Sequence, residues 1–125
     1  MIGSPNPVRF VYDGDGSDTP QPGPNGSSVN EDVFLKYFGK QGLATEPTAF
    51  DGRSDHGPFI AVGIPAGGLF IGGEGIKTTQ EVAIFGGTAG IAYDICYHQS
   101  CDTLANNNDQ VLNEMSDRRG NFESE

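Results

Sequence analysis

The sequence predicts an α/β layered fold. Short runs rich in β-branched and aromatic residues alternate with stretches whose apolar residues recur at helical spacing, an alternation that lays helices against a sheet. Only two or three strands are readable in 125 residues. That is a thin sheet for an independent domain, so the chain reads as an incomplete fold, part of something larger.

Residues 8–12 (Val-Arg-Phe-Val-Tyr) read as a short strand. Residues 13–28 carry Asp, Gly, Ser, Pro and Asn and no apolar residue, and read as an exposed loop insertion. Ser28 and Glu31 have the spacing of a capping box. Val33, Phe34, Tyr37 and Phe38 then recur at helical spacing, with Gly39 and Gly42 suited to the helix end. Residues 43–50 read as extended. Ser54 is placed to cap a short helix over 55–63, with Pro58 in its first turn. The run 64–71 (Ile-Pro-Ala-Gly-Gly-Leu-Phe-Ile) reads as a buried strand. A short helix is expected over 79–86, beginning near Thr78 or Thr79, and a last one over 109–119 with Val111, Leu112 and Met115 on one face. The domain is expected over 1–120, and the polar tail 121–125 is expected to fray.

Composition narrows the function. Nineteen glycines and eight prolines favour turns and close backbone approach over long helices. Net charge is −10 with only seven Lys and Arg. This argues against nucleic acid and against an anionic membrane surface, since both need a basic face. No apolar run approaches the roughly 20 residues of a membrane-spanning helix. Met1 is followed directly by Ile-Gly-Ser-Pro-Asn-Pro, without signal-peptide character; Met1 is either a true start or an internal residue of a longer protein.

Three groups of residues carry possible chemistry. The densest is Cys96-Tyr97-His98-Gln99-Ser100-Cys101-Asp102. Four residues separate the two cysteines, which does not match a C-x2-C zinc pair, and no second pair exists. A short disulfide loop in an oxidising compartment is the better reading, and two buried free thiols are the alternative. A loop closed in this way would hold Tyr97 and His98 in fixed directions. Imidazole is a good zinc ligand and a phenol can donate to a developing oxyanion; the alternative is a surface histidine beside a structural disulfide. The second group is Asp51-Gly52-Arg53-Ser54-Asp55-His56. Arg53 either holds a carboxylate or carbonyl by parallel bonds or pairs with an Asp to fix the turn. His56 reads as a capping or packing residue. The third group, Gly67 to Gly75, lacks a phosphate-loop arrangement. Phe70 there either floors an apolar pocket or belongs to plain core.

Together these groups resemble the M28 zinc aminopeptidases, in particular the secreted Streptomyces-type enzymes. The matching stretches are MIGSPNP, DGRSDHGPFIAVGIPAGGLF, EGIKT, GGTAGIAYD, CYHQSCDTL and NNNDQVLNEMSD, which run in the family's order over most of 1–12 and 50–117. The resemblance implies an incomplete three-layer α/β sandwich with a mixed sheet, of zinc-peptidase type. It implies that His98 binds zinc in a two-ion centre, that Tyr97 hydrogen-bonds the tetrahedral intermediate, and that Cys96 and Cys101 form the family's disulfide. It places Arg53 near the substrate cleft, Phe70 on the wall of the pocket for the N-terminal side chain, and Asp117 at a calcium site, where Asn113 stands in place of a carboxylate.

The family's remaining zinc ligands and its catalytic Glu have no counterpart in this sequence and are expected upstream, in a missing N-terminal half. The expected activity is therefore part of a secreted aminopeptidase acting on peptides, with the chain alone inactive. The alternative is a non-catalytic module that binds peptides or a partner. A sheet edge left exposed by the absent half would promote association.

Overall fold

The computed structural model of the chain describes the backbone of residues 1–124 and the side chains of residues 1–117. It shows a small α/β fold with a three-stranded mixed sheet and, among the described residues, four α-helices. This is compatible with part of an α/β peptidase domain. The chain divides into two compact units, Phe10–Leu69 and Met1–Arg9 with Phe70–Glu125.

The unit Phe10–Leu69 is built on β1 (Phe10–Tyr12), which lies between β2 (Glu46–Thr48) and β3 (Leu69–Phe70). β1 and β2 run parallel with Phe10 opposite Glu46. Parallel neighbours need a crossover, and α1 (Ser27–Lys40) supplies it. The helical spacing of its aromatics is real: Phe34 and Phe38 are buried with Val11, Tyr12 and Phe50, whereas Val33 and Tyr37 are half-buried. The helix closes as the glycine predicts: Gly42 N–H donates to Gly39 C=O and Leu43 N–H to Phe38 C=O, the paired bonds of a Schellman motif.

Three local expectations are corrected in this unit. Ser28 and Glu31 form no capping box. Gly26 is the N-cap of α1, with no side-chain cap bond, because Glu31 accepts instead from the N–H of Gly14 in the preceding loop at 3.2 Å. Ser54 does not cap the short helix α2 (Gly57–Ala61). His56 precedes it, and Pro58 does sit in its first turn. The strand expected over 64–71 shrinks to β3. Gly63, at φ 82°, and Ile64 donate to the Ile60 and Phe59 carbonyls, so this end of the run finishes α2, and Ile64 stays 46% exposed.

The loop after β1 is fastened at its start. Asp13 is fully buried, and its carboxylate accepts from the N–H groups of Gly16, Asp18 and Thr19 and from the Thr19 hydroxyl at 2.7–3.1 Å. Burial alone would raise the pKa of this carboxyl, but the bonds from Asp18 and Thr19 outweigh it and hold it below the ordinary value.

The other unit contains α3 (Thr79–Phe85), a 3-10 turn at Leu104–Asn106 and α4 (Asp109–Ser124). Thr78 caps α3 reciprocally: its hydroxyl accepts from Glu81 N–H at 3.1 Å and the Glu81 carboxylate accepts from Thr78 N–H at 2.8 Å. Asn108 caps α4 through its side-chain oxygen and the N–H of Val111. Val111 and Met115 are buried with Val8, Ile71 and Tyr93, whereas Leu112, expected on the same face, is 38% exposed. The helix runs past the expected end at 119 to Ser124. The fraying expected over 121–125 concerns side chains, and at Glu125 a backbone, outside the described residues. No helix among the described residues is long and apolar enough to cross a membrane.

Candidate active-site turn

The turn that carries Tyr97 and His98 stands on a glycine scaffold. Gly72 has φ 112°, and a Cβ there would lie 2.2 Å from the Tyr93 ring, so only glycine lets Tyr93 lie flat on this backbone. Tyr93 N–H donates to Gly75 C=O and Asp94 N–H to Gly73 C=O, both at 2.9 Å. The Tyr93 hydroxyl then donates to the buried Glu81 carboxylate, 2.7 and 2.8 Å from its two oxygens. From the other side Asn6 uses its side chain fully: it donates to the Thr88 and Ala92 carbonyls and accepts from Thr88 N–H. The segment 88–94 is thus pinned from both sides before the disulfide-closed turn begins.

Cys96 and Cys101 form a disulfide. Inside it, Tyr97 N–H donates to Asp94 C=O and Gln99 N–H to Cys96 C=O. His98 has φ 55° and is the one non-glycine residue with positive φ among those described. Non-glycine residues adopt this conformation at a cost, and such residues concentrate at functional sites. The Tyr97 and His98 rings lie 3.9 Å apart between centroids. Tyr97 is half-buried and His98 exposed. Among the described residues, neither the Tyr97 hydroxyl nor a His98 ring nitrogen bonds another protein group. Phe70 joins them: a Cβ on Gly73 would touch the Phe70 ring at 3.3 Å and the Tyr97 ring at 3.5 Å. The Phe70 and Tyr97 rings therefore meet at Gly73, and the His98 ring lies against that of Tyr97.

Arg53 belongs to the other unit. Its N–H donates to Asp51 Oδ1 at 3.0 Å, and Gly52 N–H donates to His56 Nε2 at 3.2 Å. The guanidinium bears on Tyr12, whose phenol is raised by burial and by Asp51 and lowered by Arg53 and a hydrogen bond with Ser54. His56 packs as expected: its ring centroid is 4.7 Å from that of Tyr12 and 5.1 Å from that of Phe50. Asp117 is exposed on α4.

No second and third metal ligand converge with His98 among the described residues. The His, Cys, Asp and Glu side chains that do converge are Asp13, Asp15 and Glu31, with ligand atoms within 4.8 Å of one another, and the Asp13 oxygens already accept four hydrogen bonds. The residues present do not make a zinc centre by themselves.

An α/β scaffold carrying a disulfide-closed Tyr-His turn is compatible with part of an α/β peptidase domain. The profile of Peptidase family M28 matches residues 1–122, and the chain belongs to this family. It is 54% identical over 108 residues to leucine aminopeptidase 2 of Trichophyton rubrum, an alignment covering 86% of this chain and 22% of that protein. It is 55% identical to the Trichophyton equinum protein of the same name, with the same coverage. It is 51% identical over 117 residues to an aminopeptidase of Pseudomonas aeruginosa (strain UCBPP-PA14), covering 94% of the chain and 22% of the relative. The chain thus spans about a fifth of the length of the curated relatives it matches.

Proposed function

We propose that this chain is the C-terminal part of a secreted, zinc-dependent aminopeptidase that removes N-terminal residues from peptides. The observation that carries the reading is the Tyr97–His98 turn: two chemically capable rings 3.9 Å apart, one of them at positive φ, with Phe70 beside Tyr97 at Gly73. His98 is one ligand of a two-ion centre whose other ligands and general base come from residues outside this sequence. Lewis-acid chemistry belongs to that centre, and the steps assigned below belong to this chain's own side chains.

The Tyr97 hydroxyl donates to the oxygen of the scissile carbonyl as charge develops on it, a contact that strengthens in the transition state. Phe70 packs against the substrate's N-terminal side chain and favours apolar ones. Arg53 serves the substrate cleft, and Asp117 contributes to a calcium site. The disulfide fits the oxidising compartment of a secreted protein.

The 125-residue chain supplied with zinc and leucine p-nitroanilide is expected to show no turnover above the blank. Robust turnover abolished by a chelator would overturn the shared-centre reading. In the longer enzyme, Tyr97→Phe is expected to lower kcat about 10²–10³-fold with little change in KM. A change confined to KM would remove Tyr97 from the oxyanion role. Calorimetry with short peptides completes the test: peptide affinity of the chain that ignores a chelator would favour a metal-free binding module instead.

A further inference from the structure

We propose that Asp94 is a positioning residue for this turn: its buried carboxylate ties the Tyr97–His98 loop to the Ser4 segment and to Asn106, and so sets where the two rings point. The inference deepens the peptidase reading and rests on it for its purpose, though not for its geometry.

Asp94 is 4% exposed. One carboxylate oxygen, Oδ2, accepts from the Ser4 hydroxyl at 2.9 Å. The other, Oδ1, accepts from Cys96 N–H at 3.0 Å and from the Asn106 amide at 2.8 Å. Its backbone is also committed, donating to Gly73 C=O and accepting from Tyr97 N–H. Asn106 reaches on to Asp102 at 3.1 Å, so the two flanks of the disulfide loop meet through Asp94 and Asn106.

The disulfide cannot do this work. It limits the internal freedom of residues 96–101 but leaves the closed loop able to pivot about its stem. The loop's own backbone bonds, Tyr97 N–H to Asp94 C=O, Gln99 N–H to Cys96 C=O and Asp102 N–H to Gln99 C=O, lie within the turn or at its stem. What fixes the loop as a body is the carboxylate below it. A buried carboxylate is stable only when its oxygens are hydrogen-bonded, and here the donors are three neutral groups from three separate stretches of chain. Swinging the loop would leave these acceptor oxygens and their donors unpaired in a buried place, so the loop stays where the donors are.

The test is nuclear magnetic resonance of the full 125-residue chain. The readouts are the inter-ring contact between Tyr97 and His98 and the His98 imidazole C–H resonance, with the Val8 and Met115 methyl signals reporting the core. Asp94→Ala is expected to abolish the inter-ring contact and move the His98 signal toward its unstructured position while both methyl signals hold. Asp94→Asn, which keeps the Oδ1 acceptor, is expected to restore the contact. Where Asp94→Ala loses the core signals as well, Ser4→Ala and Asn106→Ala, which each delete one donor, carry the test, and the second is expected to move the His98 signal. Unchanged ring signals in a folded Asp94→Ala chain, or in both single-donor variants, overturn the proposal. Turnover assays judge the peptidase reading and these signals judge Asp94, so the two fail separately.

Discussion

His56 shows how one residue can couple a turn to pH. Its Nε2 accepts from Gly52 N–H, which requires the neutral ring. Burial against Tyr12 and Phe50 pushes its pKa below the ordinary value, with Asp51 and Asp55 opposing the shift. A depressed pKa means that the folded chain disfavours the charged ring. The stability His56 contributes is therefore fully present above the unfolded value near 6.5 and is lost as pH falls through the folded pKa. The expected outcome is that unfolding free energy, measured by denaturant at pH 7.5 and 5.5, falls less in His56→Gln than in the parent. An equal fall in both would show that the ring binds its proton equally well folded and unfolded. The residue types at the site were legible because cysteine spacing and a Tyr-His pair are local. Asp94 and Gly73 were not, because what matters in them is a set of partners 12 to 90 residues away or a ring that fits only where Cβ is missing.

Among elements, two stretches share the Ser/Thr-x-x-Glu pattern and only one forms the capping box. At Thr78 the carboxylate three residues on is held in place by the Tyr93 hydroxyl, and the reciprocal bonds form. At Ser28 the equivalent carboxylate is drawn away by Gly14 N–H, and Ser27 accepts from Ala66 N–H instead. Pattern alone cannot separate them, since the competing donors come from other parts of the chain. Thr78→Ala is expected to cost about 1 kcal/mol and Ser28→Ala less than about 0.5 kcal/mol, compared by urea denaturation. Equal costs would mean that the box contributes nothing. The same competition explains the shortened third strand. The run 64–71 is apolar enough for a strand, but Ile64 completes the end of α2 and Pro65 has no N–H to give a sheet ladder. The helices were legible because their aromatic and aliphatic repeats bury one face; Leu112 departs because the period marks a stripe, not the depth to which each residue sinks.

At the scale of the whole chain, charge is the property read most directly from composition and the one with the clearest consequence for stability. Seventeen carboxylates face seven Lys and Arg, so pairing every cation would still leave ten acids unmatched. Pairs such as Arg9–Glu114, 3.0 Å apart and largely buried, with Arg9 also 5.3 Å from the centre of the Phe85 ring, are little screened by salt. Among the described residues most of the acids are exposed, and their mutual repulsion opposes the compact state. Salt should therefore relieve more repulsion than it removes attraction. Raising sodium chloride from a few millimolar to physiological strength, where the screening length shrinks to about 8 Å, is expected to raise the thermal midpoint by about 3 °C. Sodium sulfate also strengthens apolar burial, so matching sodium chloride and potassium chloride at equal ionic strength isolates screening. A midpoint that falls with both would mean that buried ion pairs, and not surface repulsion, dominate the electrostatics of this chain.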